Sequence, residues 1–164
     1  MIGPLPTAPG GFKFILVAVD KFTKWIEVKP IAKMLSDCAM EFICKILQRF
    51  GFPNTIIIDL GSNFTSQSFW DYCENSCIDV KYVLVAHPRA NDQVECINGL
   101  IIDGLKKRIF DETSKKEGKW LTELPMVVWR LRTQPSKATG RTPFFYSTTP
   151  KQSSLQISCG SRLD

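Results

Sequence analysis

An α/β domain is the fold class this sequence predicts, and three observations carry the expectation. The β-branched run Thr55-Ile56-Ile57-Ile58 ends in Asp59 and reads as a fully buried strand. A helix from about Ser36 to Phe50 has clear punctuation: Ser36 is a good N-cap, Gly51 a good C′ residue, and Pro53 cannot continue a helix. After Asp92, the residues Val94, Ile97, Ile101 and Leu105 fall at i, i+3, i+7 and i+11, one apolar stripe of a long helix.

The remaining elements follow in order. The apolar run Phe12 to Val19 reads as a strand, and Ile26 to Lys29 as a second. The helix to Phe50 and the strand ending at Asp59 come next. A helix near Gln67 to Glu74, a strand near Val80 to Val85, the helix from Asp92 and a helix over about Trp120 to Arg132 complete the pattern.

Composition is that of one globular domain. With 164 residues and 44% hydrophobic content the chain buries a normal core, and no apolar run approaches a membrane span, so no membrane partner is expected. No charged leader precedes a hydrophobic stretch and cleavage site, so a nuclear or cytoplasmic protein is expected rather than a secreted one. Six cysteines invite a disulfide or zinc reading, but there is no Cys-x-x-Cys and His87 is the sole histidine. Cys73 and Cys77, one helical turn apart, read as reduced thiols in a helix.

Charge is unevenly placed. Residues 101–141 carry ten Lys and Arg against five Asp and Glu, whereas residues 1–100 carry nine against ten. Lys106, Lys107 and Arg108 share the helix that follows Asp92, and Arg130, Arg132, Lys137 and Arg141 come later. Such a bias suits a phosphate backbone, although a solvated helix face explains any single Lys equally well.

Two acids stand out for their settings. Asp59 ends its strand before a Gly61 turn and a polar stretch, where α/β proteins place their chemistry. Glu95 follows the loop His87 to Gln93, in the first turn of the long helix, with 35 residues between it and Asp59. Two carboxylates brought together this way suit a divalent-cation clamp for phosphoryl transfer. The same residues have a purely structural explanation: Asp92 with Glu95 is a helix-start capping pattern, and Asp59 ends a strand in a turn.

The surrounding motifs weigh for chemistry. Val17-Ala18-Val19-Asp20-Lys21-Phe22-Thr23-Lys24-Trp25, Ile58-Asp59-Leu60-Gly61-Ser62-Asn63-Phe64-Thr65 and His87-Pro88-Arg89-Ala90-Asn91-Asp92-Gln93-Val94-Glu95-Cys96-Ile97-Asn98 resemble the integrase catalytic core of gypsy-type long-terminal-repeat retrotransposons and retroviruses. So does the stretch Trp129 to Phe144, with Arg132-Thr133, Ala138-Thr139-Gly140 and Thr142-Pro143-Phe144. The likeness runs from about Gly3 to Phe145, and a domain over residues 1–145 is expected.

The resemblance implies a ribonuclease-H-like mixed sheet flanked by helices. It places the second and third catalytic, metal-binding acids on Asp59 and Glu95, with Mg²⁺ or Mn²⁺ as cofactor. It implies DNA as partner, Gln93, Asn98, Lys106, Lys107 and Arg108 as contacts, and a possible homo-oligomer. On the helix, Glu95, Asn98, Ile102 and Lys106 form a second stripe, expected to be the DNA-facing edge.

Several departures bear on activity. The family's first acid precedes a Gly-Pro by two residues, and matching Gly3-Pro4 to that pattern places it immediately before Met1. A truncated central strand, an open gap in the sheet and impaired catalysis are therefore expected. Asp20 is the tempting substitute, but in the family that position is not one of the three acids. Leu60 replaces the usual Asn, Asp92 a Gly, and Cys96 an Arg. Residues 146–164 are Ser-rich with no core pattern and read as a divergent, disordered or frameshifted tail. The expectation is an integrase core fragment whose parent trims DNA 3′ ends and joins them to target DNA. The alternative is a domesticated nucleic-acid-binding module without catalysis.

Overall fold

The computed structural model describes residues 1–59, 64, 66–83, 88–109, 118–137, 139–147 and 155–158. Strands β1 (Phe14–Asp20) and β2 (Ile26–Ile31) form an antiparallel pair, followed by helix α1 (Ser36–Phe50) and strand β3 (Thr55–Asp59). Helix α2 (Gln67–Asn75), strand β4 (Asp79–Val83) and the long helix α3 (Pro88–Ile109) come next. Helices α4 (Trp120–Thr133) and α5 (Pro143–Ser147) and strand β5 (Leu155–Ser158) complete the described chain. The sheet order is β2-β1-β5-β3-β4, with β5 antiparallel to β1 and parallel to β3.

β1 is apolar from Phe14 to Val19 because it is covered on both faces. Leu16 and Ala18 join Phe42, Ile43, Ile46, Ile56, Ile58 and Phe69 in a core beneath α1 and α2. Ile15, Val17 and Val19 join Val94, Ile101, Leu105, Trp120 and Val127 in a second core beneath α3 and α4. β3 was expected to be buried on both faces, yet it alternates: Ile56 and Ile58 are buried whereas Thr55, Ile57 and Asp59 are half-exposed. Pro30 sits in β2 opposite Ile15, whose backbone N–H and C=O both serve Ile2 on the other edge, so the proline's missing donor leaves no ladder bond unmade.

Local punctuation explains most boundaries. α1 spans the expected residues and ends at Gly51, whose φ of 84° and N–H to Leu47 O (2.9 Å) make the turn a side chain would strain. Ser36 is its first helical residue rather than its N-cap, which is Leu35 and makes no side-chain cap bond. α3 begins four residues before Asp92, at Pro88, since proline suits the first helical position where its missing N–H is not needed. Asp92 therefore lies inside the helix, and Glu95 in its third turn rather than its first. α2 stops at Asn75, so Cys77 lies beyond it at φ 55° while Cys73 is buried inside it. Burial and the nearby Cys44 push the Cys73 thiol up to about 11. Five cysteines are free among the described residues.

The centre of the sheet departs from expectation. An open gap between two core strands was expected there, and residues 146–164 were expected to lie outside the fold. Leu155–Ser158 instead fill that position as β5, with Val17, Ala18, Val19 and Asp20 paired to Ser158, Ile157, Gln156 and Leu155. The physical reason is the demand of the gap itself: each buried, unpaired backbone group costs about 1–3 kcal/mol, so a segment able to extend is drawn into it. The beginning of the chain uses the same edge of β1, where Ile2 and Ile15 exchange two N–H···O bonds of 2.9 Å.

α3 and α4 meet at Gly104, where an added Cβ would come within 2.7 Å of Val127 Cγ1. Val127 is buried and held by its own core, so it cannot give way. Gly104→Ala should therefore destabilise the fold by about 1–3 kcal/mol despite alanine's better helix propensity. Thermal unfolding of Gly104→Ala, Val127→Ala and the double variant checks this: the double variant should be more stable than the sum of the two effects, and strict additivity would refute the contact.

Candidate active site

Asp59 is the last residue of β3, and its parity sets its direction. Ile56 and Ile58 face the α1 side, so Asp59 lies on the opposite face, the one α3 covers. It is level with Val83, the last residue of β4, and α3 begins five residues later at Pro88. Glu95 is exposed on α3. The two acids thus occupy one side of the sheet, one on a strand end and one on the helix that packs over it. The polar turn expected after Asp59, at residues 60–63, lies outside the described residues, as does His87.

The expected DNA-facing stripe is only partly a surface. Glu95 and Lys106 are exposed, Ile102 is half-buried, and Asn98 is buried at 8% exposure. Asn98 falls four residues after Val94 and three before Ile101, which puts it on the core side of α3 rather than on the expected edge. Its Oδ1, like Gln93 Oε1, is buried with no hydrogen-bond partner among the described residues. Arg108 is half-buried and gives its guanidinium to Glu123 on α4 at 2.9 Å, tying the two helices together. Lys106 and Lys107 remain exposed cations.

Asp20 has a structural occupation. Its carboxylate accepts the backbone N–H groups of Phe22 and Thr23 at 3.2 and 3.3 Å and the Thr23 hydroxyl at 2.5 Å, stapling the turn into β2. It is buried at 6% exposure. Its register also places it away from Asp59: it stands level with Leu155, which pairs with Ile56, so about 10 Å of strand separates the two acids.

One group that sequence reasoning assigned to a DNA-suited charge excess has a different use. Arg132 donates from Nε and Nη2 to Ile26 O at 2.9 and 2.5 Å and pairs with Glu27 at 3.3 Å. Its guanidinium lies 4.3 Å over the Trp25 ring. Burial pushes its pKa down, and Glu27 opposes that shift. Trp25 Nε1 donates to Glu27 as well, at 2.8 Å. The signal was Trp25, just before β2, with Glu27 two residues on, but only the fold brings Arg132 to them.

Asp59 and Glu95 are hard oxygen donors, the type that Mg²⁺ and Mn²⁺ take. Among the described residues, however, no group of three His, Cys, Asp or Glu side chains is placed to hold a metal ion. Two carboxylates do not fit a two-ion centre, which needs ligands bridging both ions.

No family model matches the chain. It is 32% identical over 139 residues to the Gag-Pol polyprotein of Avian reticuloendotheliosis virus and 31% identical over 138 residues to the Pol polyprotein of Radiation murine leukemia virus. Those alignments cover 84% and 82% of this chain but only 12% and 22% of the relatives, so the chain spans a small part of their length. Its fold is similar to a chain of the simian T-cell lymphotropic virus intasome in complex with PP2A regulatory subunit B56 gamma. The TM-score there is 0.72 at 19% identity, over 92% of this chain and 58% of that one. It is also similar to the HTLV-2 integrase catalytic core domain in complex with magnesium, with TM-score 0.65 at 22% identity over 88% of this chain and 98% of that one. Sequence likeness to retroviral Pol proteins and a fold shared with these cores converge: the chain resembles part of a retroviral Pol polyprotein in sequence and an integrase catalytic core in fold.

Proposed function

We propose that this chain is the catalytic-core portion of a DNA integrase of the retroelement type, with catalysis impaired in the chain as it stands. The parent reaction would be phosphodiester chemistry on DNA, in which element 3′ ends are trimmed and the freed hydroxyls are joined to target DNA. The observation that carries the reading is the placement of Asp59 on the strand face that α3, with Glu95, covers. An acid at a strand tip opposite an acid on a covering helix suits a phosphate-bound divalent cation, the ion present in the HTLV-2 neighbour. The impairment follows from the donor count, because two carboxylates leave an ion pair under-coordinated. Among the described residues, Asp59 and Glu95 would hold Mg²⁺ or Mn²⁺, and weakly.

DNA binding is the activity this reading leaves intact. Lys106 lies eleven residues after Glu95 on α3, on nearly the same face and about 16 Å along the axis, a span of several phosphates on a backbone. Lys107 adds charge beside it. Gln93 is a further candidate contact, whereas Asn98 and Arg108 face their own fold. Nuclear or cytoplasmic residence and self-association belong to the same proposal: neighbouring cores occur as dimeric and trimeric forms. Among the described residues no helix is long and apolar enough to cross a membrane.

The purified chain should bind duplex DNA in a salt-sensitive, Mg²⁺-independent way and show no Mg²⁺- or Mn²⁺-dependent nicking or strand transfer. Lys106→Ala with Lys107→Ala should weaken binding and reduce the slope of log K against log salt by about 2. Metal-dependent nicking abolished by Asp59→Asn would refute the impairment, and absence of any salt-sensitive binding would refute the DNA reading.

Asp20→Ala separates structure from chemistry. It should lower stability by about 1–3 kcal/mol, since two turn N–H groups and a hydroxyl lose their acceptor, while DNA affinity at a temperature where the variant is folded stays unchanged. Loss of DNA binding with no loss of stability would return Asp20 to the functional site.

A further inference from the structure

The two edges of the sheet are unlike. β2 forms one edge, and since Asp20 N–H bonds Trp25 O on its inner side, the backbone groups of Ile26, Val28 and Pro30 point outward. Ile26 O already accepts the Arg132 guanidinium, and Pro30 has no N–H to offer. An incoming strand meets a blocked edge there. β4 forms the other edge, and no strand lies beyond it among the described residues. Asp79 N–H bonds Asn54 O at 3.0 Å, so Asp79 and Lys81 turn their backbone groups toward β3 while Val80 and Tyr82 turn theirs outward. Both of these residues can donate as well as accept.

The side chains of β4 suit one partner. Asp79 and Lys81 are exposed on one face, where they pair with each other at 3.2 Å. On the other face Val80 and Tyr82 are half-buried against the core beneath α1 and α2, with the Tyr82 ring 5.5 Å from that of Trp70. A second β4 laid antiparallel about a two-fold axis at Val80 sets Asp79 opposite Lys81 of the partner subunit and Lys81 opposite Asp79 of the partner subunit. Val80 then exchanges backbone bonds with the partner's Val80, and Tyr82 N–H meets the C=O of the partner's Ile78. Ile78 N–H needs no partner in that arrangement, because it already bonds Cys73 O at 2.9 Å. An axis at Lys81 offers as many backbone bonds but faces lysine with lysine, which like charges disfavour.

We infer that the outer edge of β4 is a self-association surface, on which a second copy of this chain adds its own β4 antiparallel about Val80. The inference rests on the self-association proposed above and gives it a surface; it draws nothing from Asp59, Glu95 or DNA. Isologous pairing uses up both copies of β4, and the blocked β2 edges offer no further growth, so the assembly closes as a dimer instead of extending into a fibre. A strand edge buries less than a standard interface of about 1,600 Å², so the dimer forms in a concentration-dependent way.

Charge variants of the full chain test this by sedimentation velocity over a concentration series. Asp79→Lys leaves two cations on the edge and Lys81→Asp two acids, so each alone should dimerise at least about tenfold more weakly than the unaltered chain. An equimolar mixture of the two should form a heterodimer about as tightly as the unaltered chain does, because every lysine then faces an aspartate. Both positions are exposed, so melting midpoints should match that of the unaltered chain. Val80→Cys reads the register: position 80 alone faces its own copy, at a Cα separation of about 5.5 Å that a disulfide spans. Mild oxidation should give a covalent dimer linked 80 to 80, identified by peptide mass spectrometry against the native cysteines, and Asp79→Cys should give none linked through position 79. A dimer indifferent to the charge variants, with no such link, overturns the β4 edge and leaves self-association standing. A monomer at every concentration overturns both. A mixture that fails to restore association, or a link through position 79, overturns the pairing about Val80.

Discussion

β1 and β3 run in opposite directions with one strand's width between them, and each is paired on its outer side with β2 or β4. Their inner edges carry rows of backbone N–H and C=O groups that lie between two apolar cores. Left unpaired, these groups at about 1–3 kcal/mol each would together rival the whole stability of a domain of this size, about 5–15 kcal/mol. The four residues of β5 and the two bonds of Ile2 answer that demand. Without them the sheet would be two separate ribbons connected only through the helices. The position of Asp59 depends on this seam, because the strand that carries it is held on its inner edge by β5 alone.

Glu95 depends on a different contact. α3 crosses the sheet over β1, β5 and β4, and its height is set where Gly104 lets α4 approach to van der Waals distance of Val127. The Arg108–Glu123 bridge joins the same two helices, but it is partly exposed and contributes at most about 1 kcal/mol. Close packing therefore fixes the helix, and the ion pair selects its rotation. A rigid strand tip and a helix clamped at its far half hold the two acids on one side of the sheet with little freedom to adjust. Such rigidity suits a site that needs fixed geometry.

The elements legible in the sequence were those whose signals are local. Ser36, Gly51 and Pro53 bounded α1, the β-branched run gave β3, and the apolar periodicity gave α3. Where reading failed, a tertiary demand or an overlooked local rule prevailed. Pro88 started α3 early because the residues after it were read as a loop rather than as a first turn. Asn98 was placed on the outer stripe by its spacing from Glu95, Ile102 and Lys106, yet it lies between Val94 and Ile101 on the core side. β5 had no local signal at all: Leu155-Gln156-Ile157-Ser158 is a weak strand sequence, and only the vacancy beside β1 makes it one. Asp59 and Glu95 were legible because their neighbours form motifs.

The basic excess shows how a charge count overstates a binding surface. Of the cations after residue 100, Arg108 serves Glu123, and Arg132 serves Ile26 O, Glu27 and the Trp25 ring. Arg141 lies 4.5 Å over the Phe145 ring. Lys106, Lys107 and Arg108 occupy the last turn of α3, where cations also offset the negative end of the helix dipole. What remains for a polyanion is a smaller set, led by Lys106 and Lys107 on the exposed side of the helix that carries Glu95. A footprint of that size gives modest affinity steeply dependent on salt. On the proposed reading, such a core would position DNA over the acid pair and would draw on further contacts, from a second copy or from neighbouring segments, to hold it there.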